Sequence, residues 1–145
     1  MKKLIILIIA ICPVFALNAA DSVWLTDMPK ALAQAKQEKK MVLVDFTGSD
    51  WCGWCIKFKK EVLSTPEFAE YAKKNLVLVE LDFPHAKAQD DKLKAANMAL
   101  KEKYGVQGFP TLLLLKNSGG EAWRQVGYME GGPKAFIAAL GQAKK

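Results

Sequence analysis

Three short apolar runs set the limits on what this chain can fold into: MVLVDF at residues 41–46, LVLVELDF at 76–83 and TLLLLK at 111–116. Each is strand-length and apolar nearly throughout, the pattern of a strand covered on both faces. The stretches between them read as helices. Asp27 is placed to cap a helix that has Pro29 in its first turn and continues over 31–39. CIKFKKEVL at 55–63 reads as a second helix, and Thr65-Pro66-Glu67 starts a third. Asp90 or Asp91 opens another, running to Tyr104 and stopping at Gly105. Strands joined by helices call for right-handed parallel crossovers. After the third run, Asn117-Ser118-Gly119-Gly120 turns the chain into a returning strand over 121–128, an antiparallel hairpin. Gly131-Gly132-Pro133 breaks it again before a last helix over 133–143, and residues 23–25 offer a short edge strand. The expected fold class is α/β: three layers, α/β/α, around a mixed sheet of four to five strands.

The first twenty residues stand apart from this pattern. Lys2 and Lys3 precede an apolar stretch over 4–17, and Asn18-Ala19-Ala20 supplies small residues before Asp21. This is the layout of a secretory signal peptide cleaved near Ala19 or Ala20. The rival, an uncleaved anchor, is disfavoured because the run falls short of the roughly 20 residues of a membrane span and Pro13 interrupts it. A lipid-modified Cys12 is disfavoured by the bulky Ile11 before it. The expected organisation is a signal peptide over 1–20 and one domain over 21–145, so the protein is expected to be exported. With 51% hydrophobic and 25% charged residues, the chain as a whole is composed like a packed globular protein and not a disordered one.

Without the leader, the charge is 19 − 15 = +4, since two of the 21 Lys/Arg and none of the 15 Asp/Glu lie in it. Those charges form no stripe of the kind that tracks nucleic acid. The leader also takes Cys12 with it, leaving Cys52, Cys55 and the single histidine, His85. A structural zinc site needs four ligands, so a closed one within this chain is not expected.

Cys52 and Cys55 lie in GSDWCGWCIKF at 48–58, between a strand and a helix. In an oxidising compartment such a pair forms a disulfide. The loop it closes is very short, so in the loop-entropy account it stabilises the fold little. Electron exchange is the better reading of C-x-x-C beside an α/β pattern. Cys52 is expected at or just before the first helical turn, where free N–H groups and the helix dipole favour a thiolate. Cys55, one turn on, is expected to be less exposed. Cys52 then attacks a substrate disulfide, and Cys55 resolves the mixed disulfide. Farther along, Pro110 in GVQGFPTLLLL stands directly before a strand. Two readings remain open from the local sequence: a cis Phe109–Pro110 bond in a tight turn, or a trans proline at the first strand residue.

Taken together, VDF, WCGWC and GFPTLLLLKNSGG resemble the thioredoxin superfamily over nearly the whole domain, from Met41 to Leu140. The string FTGSDWCGWCIKF is most similar to exported bacterial disulfide-exchange members of the DsbH and DsbD C-terminal-domain types. The resemblance implies a thioredoxin fold, a cis Phe109–Pro110 bond facing the Cys pair, and Gly108 and Phe109 lining a groove for the substrate backbone. Trp51 matches the family's tryptophan before the first cysteine. The implied site is Cys52, Cys55 and Asp45 for the chemistry, with Trp51, Gly53, Trp54, Gly108, Phe109 and Pro110 touching substrate.

The spacer Gly53-Trp54 departs from cytosolic members, which carry Pro at its second position, so the redox poise does not transfer. A second departure is a loop one residue longer over 47–50; Asp45 is the candidate for the family's buried aspartate, which would relay a proton to or from Cys55, and the plainer reading is an ordinary hydrogen-bonded carboxylate at a strand end. Asp50 is the alternative acid, expected to be solvent-exposed. Lys57 and Lys59 add positive potential, though Lys59 reads better as part of a solvated helix face. Trp54 is expected to be exposed, Phe58, Val62, Phe68 and Tyr71 to be core, and His85 to be a surface loop residue without a role.

The expected function is protein-disulfide exchange in the reductase direction, with no cofactor and no metal. The expected partners are protein disulfides and a membrane protein that supplies electrons; nucleic acid is not among them, and the chain is expected to act as a monomer. An oxidase or isomerase would use the same two cysteines. A non-enzymatic Cu(I) module on two soft thiolates is the alternative from another class, for which Met98 and His85 have no evident placement.

Overall fold

The computed structural model describes residues 23–144; the expected signal peptide at 1–20 lies outside the described residues. In chain order come β1 (Trp24–Leu25), α1 (Met28–Glu38), β2 (Met41–Thr47), α2 (Gly53–Phe58) continuing into a π-helical turn (Lys59–Leu63), α3 (Pro66–Asn75), β3 (Leu76–Asp82), α4 (Asp91–Lys103), β4 (Thr111–Leu115), β5 (Glu121–Val126) and α5 (Gly132–Gln142). The five strands form one mixed sheet in the order β1-β3-β2-β4-β5, with β1–β3 and β3–β2 parallel and β2–β4 and β4–β5 antiparallel. This is the thioredoxin fold, with the strand that precedes the Cys pair at the centre of the sheet.

The helices begin where their capping residues place them. Asp27 accepts the Lys30 N–H at 2.8 Å, Thr65 Oγ1 accepts the Phe68 N–H, and Asp90 Oδ1 accepts from Lys92 and Leu93. Two features differ from the sequence expectation. The helix expected over 55–63 begins as expected just after Cys52, its N-cap, but is not regular to its end: it widens at Lys59, where Ser64 N–H bonds Lys59 O five residues back. The last strand stops at Val126 rather than Tyr128, because Gly127 takes a φ of +78° and turns its N–H to the Pro110 carbonyl.

Strand alternation divides the core in two. Val42, Val44 and Phe46 of β2 join Val77, Val79 and Leu81 of β3 under α1, with Leu100 of α4 and Tyr104 just after it packed against them. Leu43, Leu78, Leu112 and Leu114 face the other way, toward Phe58, Val62 and Leu63, Phe68 and Ala72 of α3, and Phe136 and Leu140 of α5. Asp45 has the parity of Leu43, so it points into the layer that carries the Cys-pair helix.

Phe136 ties that second layer together. It is fully buried and lies 5.2 Å from the Phe58 ring, 5.8 Å from Phe68 and 5.9 Å from Trp123. Phe136→Ala is expected to remove about 3–5 kcal/mol of stability, through lost burial and the cavity left among three aromatic rings. A urea unfolding curve measures it as a lower midpoint at unchanged slope.

Candidate active site

The site is assembled at the C-terminal end of β2. The chain leaves the strand at Thr47, bends through 48–51 with the Cys52 N–H bonded to Gly48 O at 2.9 Å, and enters α2. Gly48 is required here. A Cβ at this position would lie 2.5 Å from the Trp51 indole, which folds back across the loop.

Cys52 is the N-cap of α2, and its sulfur accepts the Cys55 N–H at 3.2 Å. The two sulfurs are joined in a disulfide, their Cα atoms 5.3 Å apart. The expected contrast in exposure is small, since Cys52 is 7% and Cys55 4% exposed. What separates the two is the helix: Cys52 stands ahead of the first turn and receives an N–H, whereas Cys55 lies within the turn. The Phe109–Pro110 bond is cis, which resolves the two local readings of Pro110. Pro110 is buried, and Gly108 and Phe109 are half-buried. Phe109 meets the Trp51 ring edge-on at 5.9 Å, so the loop before β4 comes against the Cys-pair loop. Trp54, beside Gly53 in the spacer, is 59% exposed, as expected.

Asp45 is buried at 3% exposure, and its Oδ1 accepts no hydrogen bond among the described residues. The reading as a routinely bonded strand-end carboxylate therefore finds no partner for that oxygen. Burial pushes its pKa up to about 7; the like charge of Glu80 adds to the rise, Lys59 opposes it, and Asp82 contributes further. Glu80 stands directly opposite Asp45 in the β2–β3 register. Lys59 reaches across to it, Nζ to Oε2 at 2.5 Å. Lys59 is thus not merely part of a solvated helix face: it holds an ion pair beside the buried acid. Lys57 lies over the rings of Trp54 (5.4 Å) and Tyr128 (4.7 Å).

Asp50 is half-buried rather than free in solvent. Its carboxylate accepts the backbone N–H groups of His85, Ala86 and Lys87 at 2.7–2.9 Å. Those bonds, led by the one from His85, hold its pKa down at about 2. His85, read from sequence as a loop residue without a role, is stacked on Trp51 with ring centroids 4.3 Å apart and planes within 5°. Sequence reasoning also passed over Tyr128, which packs 5.5 Å from Trp54 and 6.0 Å from Phe58. One of these contacts had a visible cue: Asp45 and Glu80 hold the same position in their runs, so an in-register parallel pairing brings them together. His85 sits in a loop with no periodic signal to place it, and Tyr128, expected at the end of the last strand, lies beyond the turn at Gly127. Among the described residues, no group of three or more Cys, His, Asp or Glu side chains gathers in a way that would hold a metal ion.

This geometry agrees with what the chain resembles. A thioredoxin-like domain family model matches residues 28–144. The disulfide bond reductase DsbH of Chlamydia pneumoniae is 37% identical over 127 residues, covering 88% of this chain and 75% of that protein. The thioredoxin-related protein DsbJ of the same organism is 36% identical over 102 residues, which is 70% of this chain but only 29% of DsbJ. A solved structure titled DsbH oxidoreductase superposes with a TM-score of 0.77 at 34% identity, over 87% of this chain and 88% of that one. With a helix-capping Cys52–Cys55 disulfide against a cis-proline loop on this fold, the chain belongs to the thioredoxin-like family, among its thiol-disulfide oxidoreductases.

Proposed function

We propose that this protein is an exported protein-disulfide reductase, acting as a monomer in a bacterial periplasm after loss of a signal peptide over 1–20, with residues 21–145 as the working domain. The observation that carries the chemistry is the Cys52 sulfur at the head of α2, accepting an N–H from Cys55 and bonded to the Cys55 sulfur. The same N–H and the open end of the helix favour a thiolate once the bond is reduced. Direction rests on the likeness to a relative named as a disulfide bond reductase.

The cycle starts from the dithiol. The Cys52 thiolate attacks one sulfur of a substrate disulfide; a new S–S bond forms, the substrate S–S bond breaks, and the departing sulfur leaves as a thiolate that takes up a proton. Cys55 then gives its proton to the Asp45 carboxylate and attacks the Cys52 sulfur. The mixed disulfide breaks, the second substrate thiolate leaves, and Cys52–Cys55 ends oxidised. The substrate has gained two electrons, which a membrane partner returns to the pair. Trp51, Gly53 and Trp54 on one side and Gly108, Phe109 and Pro110 on the other form the groove in which the substrate chain lies during the attack.

Two measurements test this together. Equilibration of the Cys52–Cys55 pair with glutathione is expected to give a reducing potential, nearer the roughly −270 mV of thioredoxin than the roughly −120 mV of a strong oxidant, and the reduced protein is expected to reduce insulin rapidly. A potential near about −120 mV would place the protein among the oxidants and overturn the direction.

A further inference from the structure

The loop between β3 and α4 is fastened to the Cys-pair loop by an unusual density of polar contacts across more than 30 residues of sequence. Asp50 Oδ1 accepts from His85 N–H at 2.9 Å, and Oδ2 accepts from Ala86 at 2.7 Å and Lys87 at 2.9 Å. Beside it, Ser49 donates its N–H and hydroxyl to the two oxygens of Asp82, and Lys87 Nζ reaches Ser49 Oγ at 3.0 Å. The Trp51 indole N–H closes the set on the Phe83 carbonyl at 2.8 Å. Hydrogen bonds to an ionised carboxylate are the stronger kind, and three converge on Asp50. The same N–H groups, that of His85 first, hold its pKa down at about 2, so protonation does not release the loop in the range in which thiols exchange.

Its effect is to extend the site. With the loop held, the His85 imidazole lies flat on Trp51, Trp51 meets Phe109 edge-on at 5.9 Å, and Phe109 packs 5.0 Å from Phe83. A continuous wall of rings therefore runs from the cis-proline loop, past the tryptophan adjoining Cys52, to an exposed histidine on a different loop.

We propose that Asp50 is a positioning residue that locks loop 83–87 onto Trp51, and that the His85 imidazole so placed is a contact for the polypeptide flanking the substrate disulfide. The proposal rests on the disulfide-exchange reading above and adds a specificity wall to it. The occupant is a protein chain rather than a small thiol, because the wall is continuous with the groove at Phe109 and is too extended for a lone disulfide to span.

The test compares wild type, Asp50→Ala and His85→Ala. His85→Ala keeps the backbone N–H that Asp50 binds and removes only the ring, so it guards against a variant that simply unfolds. His85 is the single histidine of the chain, which makes its ring protons unambiguous by NMR. In the wild type, those protons are expected to be shifted upfield by the indole below them, and Asp50→Ala is expected to return them to the range of a free histidine. Both variants are expected to raise KM for insulin about fivefold or more with kcat little changed, while the equilibrium and rate with glutathione stay within about twofold of wild type. Retention of the upfield shift in Asp50→Ala, or insulin KM values equal to wild type, overturns the proposal while leaving the activity in place. A wild-type protein that exchanges with neither glutathione nor insulin overturns the activity itself and the wall with it.

Discussion

Cys55→Ser is expected to accumulate covalent complexes with disulfide-containing proteins, while Cys52→Ser accumulates none. The reason lies in which sulfur can start the reaction and which can finish it. Cys52 caps α2 and receives the Cys55 N–H, so the charge of its thiolate is stabilised before any substrate arrives. Cys55 sits inside the first turn, where its N–H goes to the Cys52 sulfur and not to its own, so its part is to attack the neighbour it is bonded to. With Cys55 changed to serine, the first attack still forms an S–S bond to substrate, but no thiolate is present to break it, and the complex persists until an outside thiol attacks it. With Cys52 changed, the attack does not begin. Turnover is expected to fall by at least about a thousandfold in both variants, because each removes a reacting atom. Non-reducing electrophoresis with mass spectrometry of the trapped species separates the two. Equal trapping by both variants would overturn the assigned roles, and trapping by Cys52→Ser alone would reverse them.

What the sequence makes legible is what local rules govern. The strands at β2, β3 and β4 are runs with no competing helical period, and the caps Asp27, Thr65 and Asp90 are side chains that act within three residues of themselves. The Cys pair is legible for the same reason: a strand end, a short loop and a helix start are all local. The cis bond at Phe109–Pro110 came from family resemblance and not from its neighbours, since proline before a strand suits either isomer. The contacts that sequence reasoning missed are those in which a loop meets another loop. Asp50 looked like a solvated residue because nothing near it in sequence needs a carboxylate; its partners are the N–H groups of residues 85–87, more than 30 positions on. His85 had no periodic pattern to place it, and only that fastening brings it onto Trp51. Lys59 fits a solvated helix face by pattern, and its ion pair depends on the widened turn and on the parallel register that sets Glu80 beside Asp45.

That buried acid carries the second large expectation: Asp45→Asn should make the protein more stable and slower. In the folded protein the carboxyl is pushed up to about 7, first by burial and then by Glu80, whereas in the unfolded chain it ionises near 3.9. Below about pH 4 it is protonated in both states and adds no pH-dependent term. Between about 4 and 7 the unfolded state releases the proton and the folded state keeps it, so this carboxyl's contribution to stability falls as pH rises; above about 7 that loss levels off at about 4 kcal/mol. Asparagine has nearly the same shape and no charge at any pH. The variant is therefore expected to match wild type near pH 4 and to exceed it by about 2–4 kcal/mol at pH 8, read from urea midpoints at the two pH values. Chemistry should move the other way. Under the proposed mechanism, a carboxylate that ionises near neutral pH on the Cys-pair side of the sheet takes the proton of Cys55 as it attacks the mixed disulfide, and the amide cannot do so. The resolving step at pH 7.5 is expected to slow by about tenfold or more, and the inflection near pH 7 in its rate to vanish. A gain in stability that is equal at pH 4 and pH 8 would show that Asp45 does not titrate in this range. A rate profile unchanged by the amide would remove the acid from the mechanism and leave it as a destabilising charge alone.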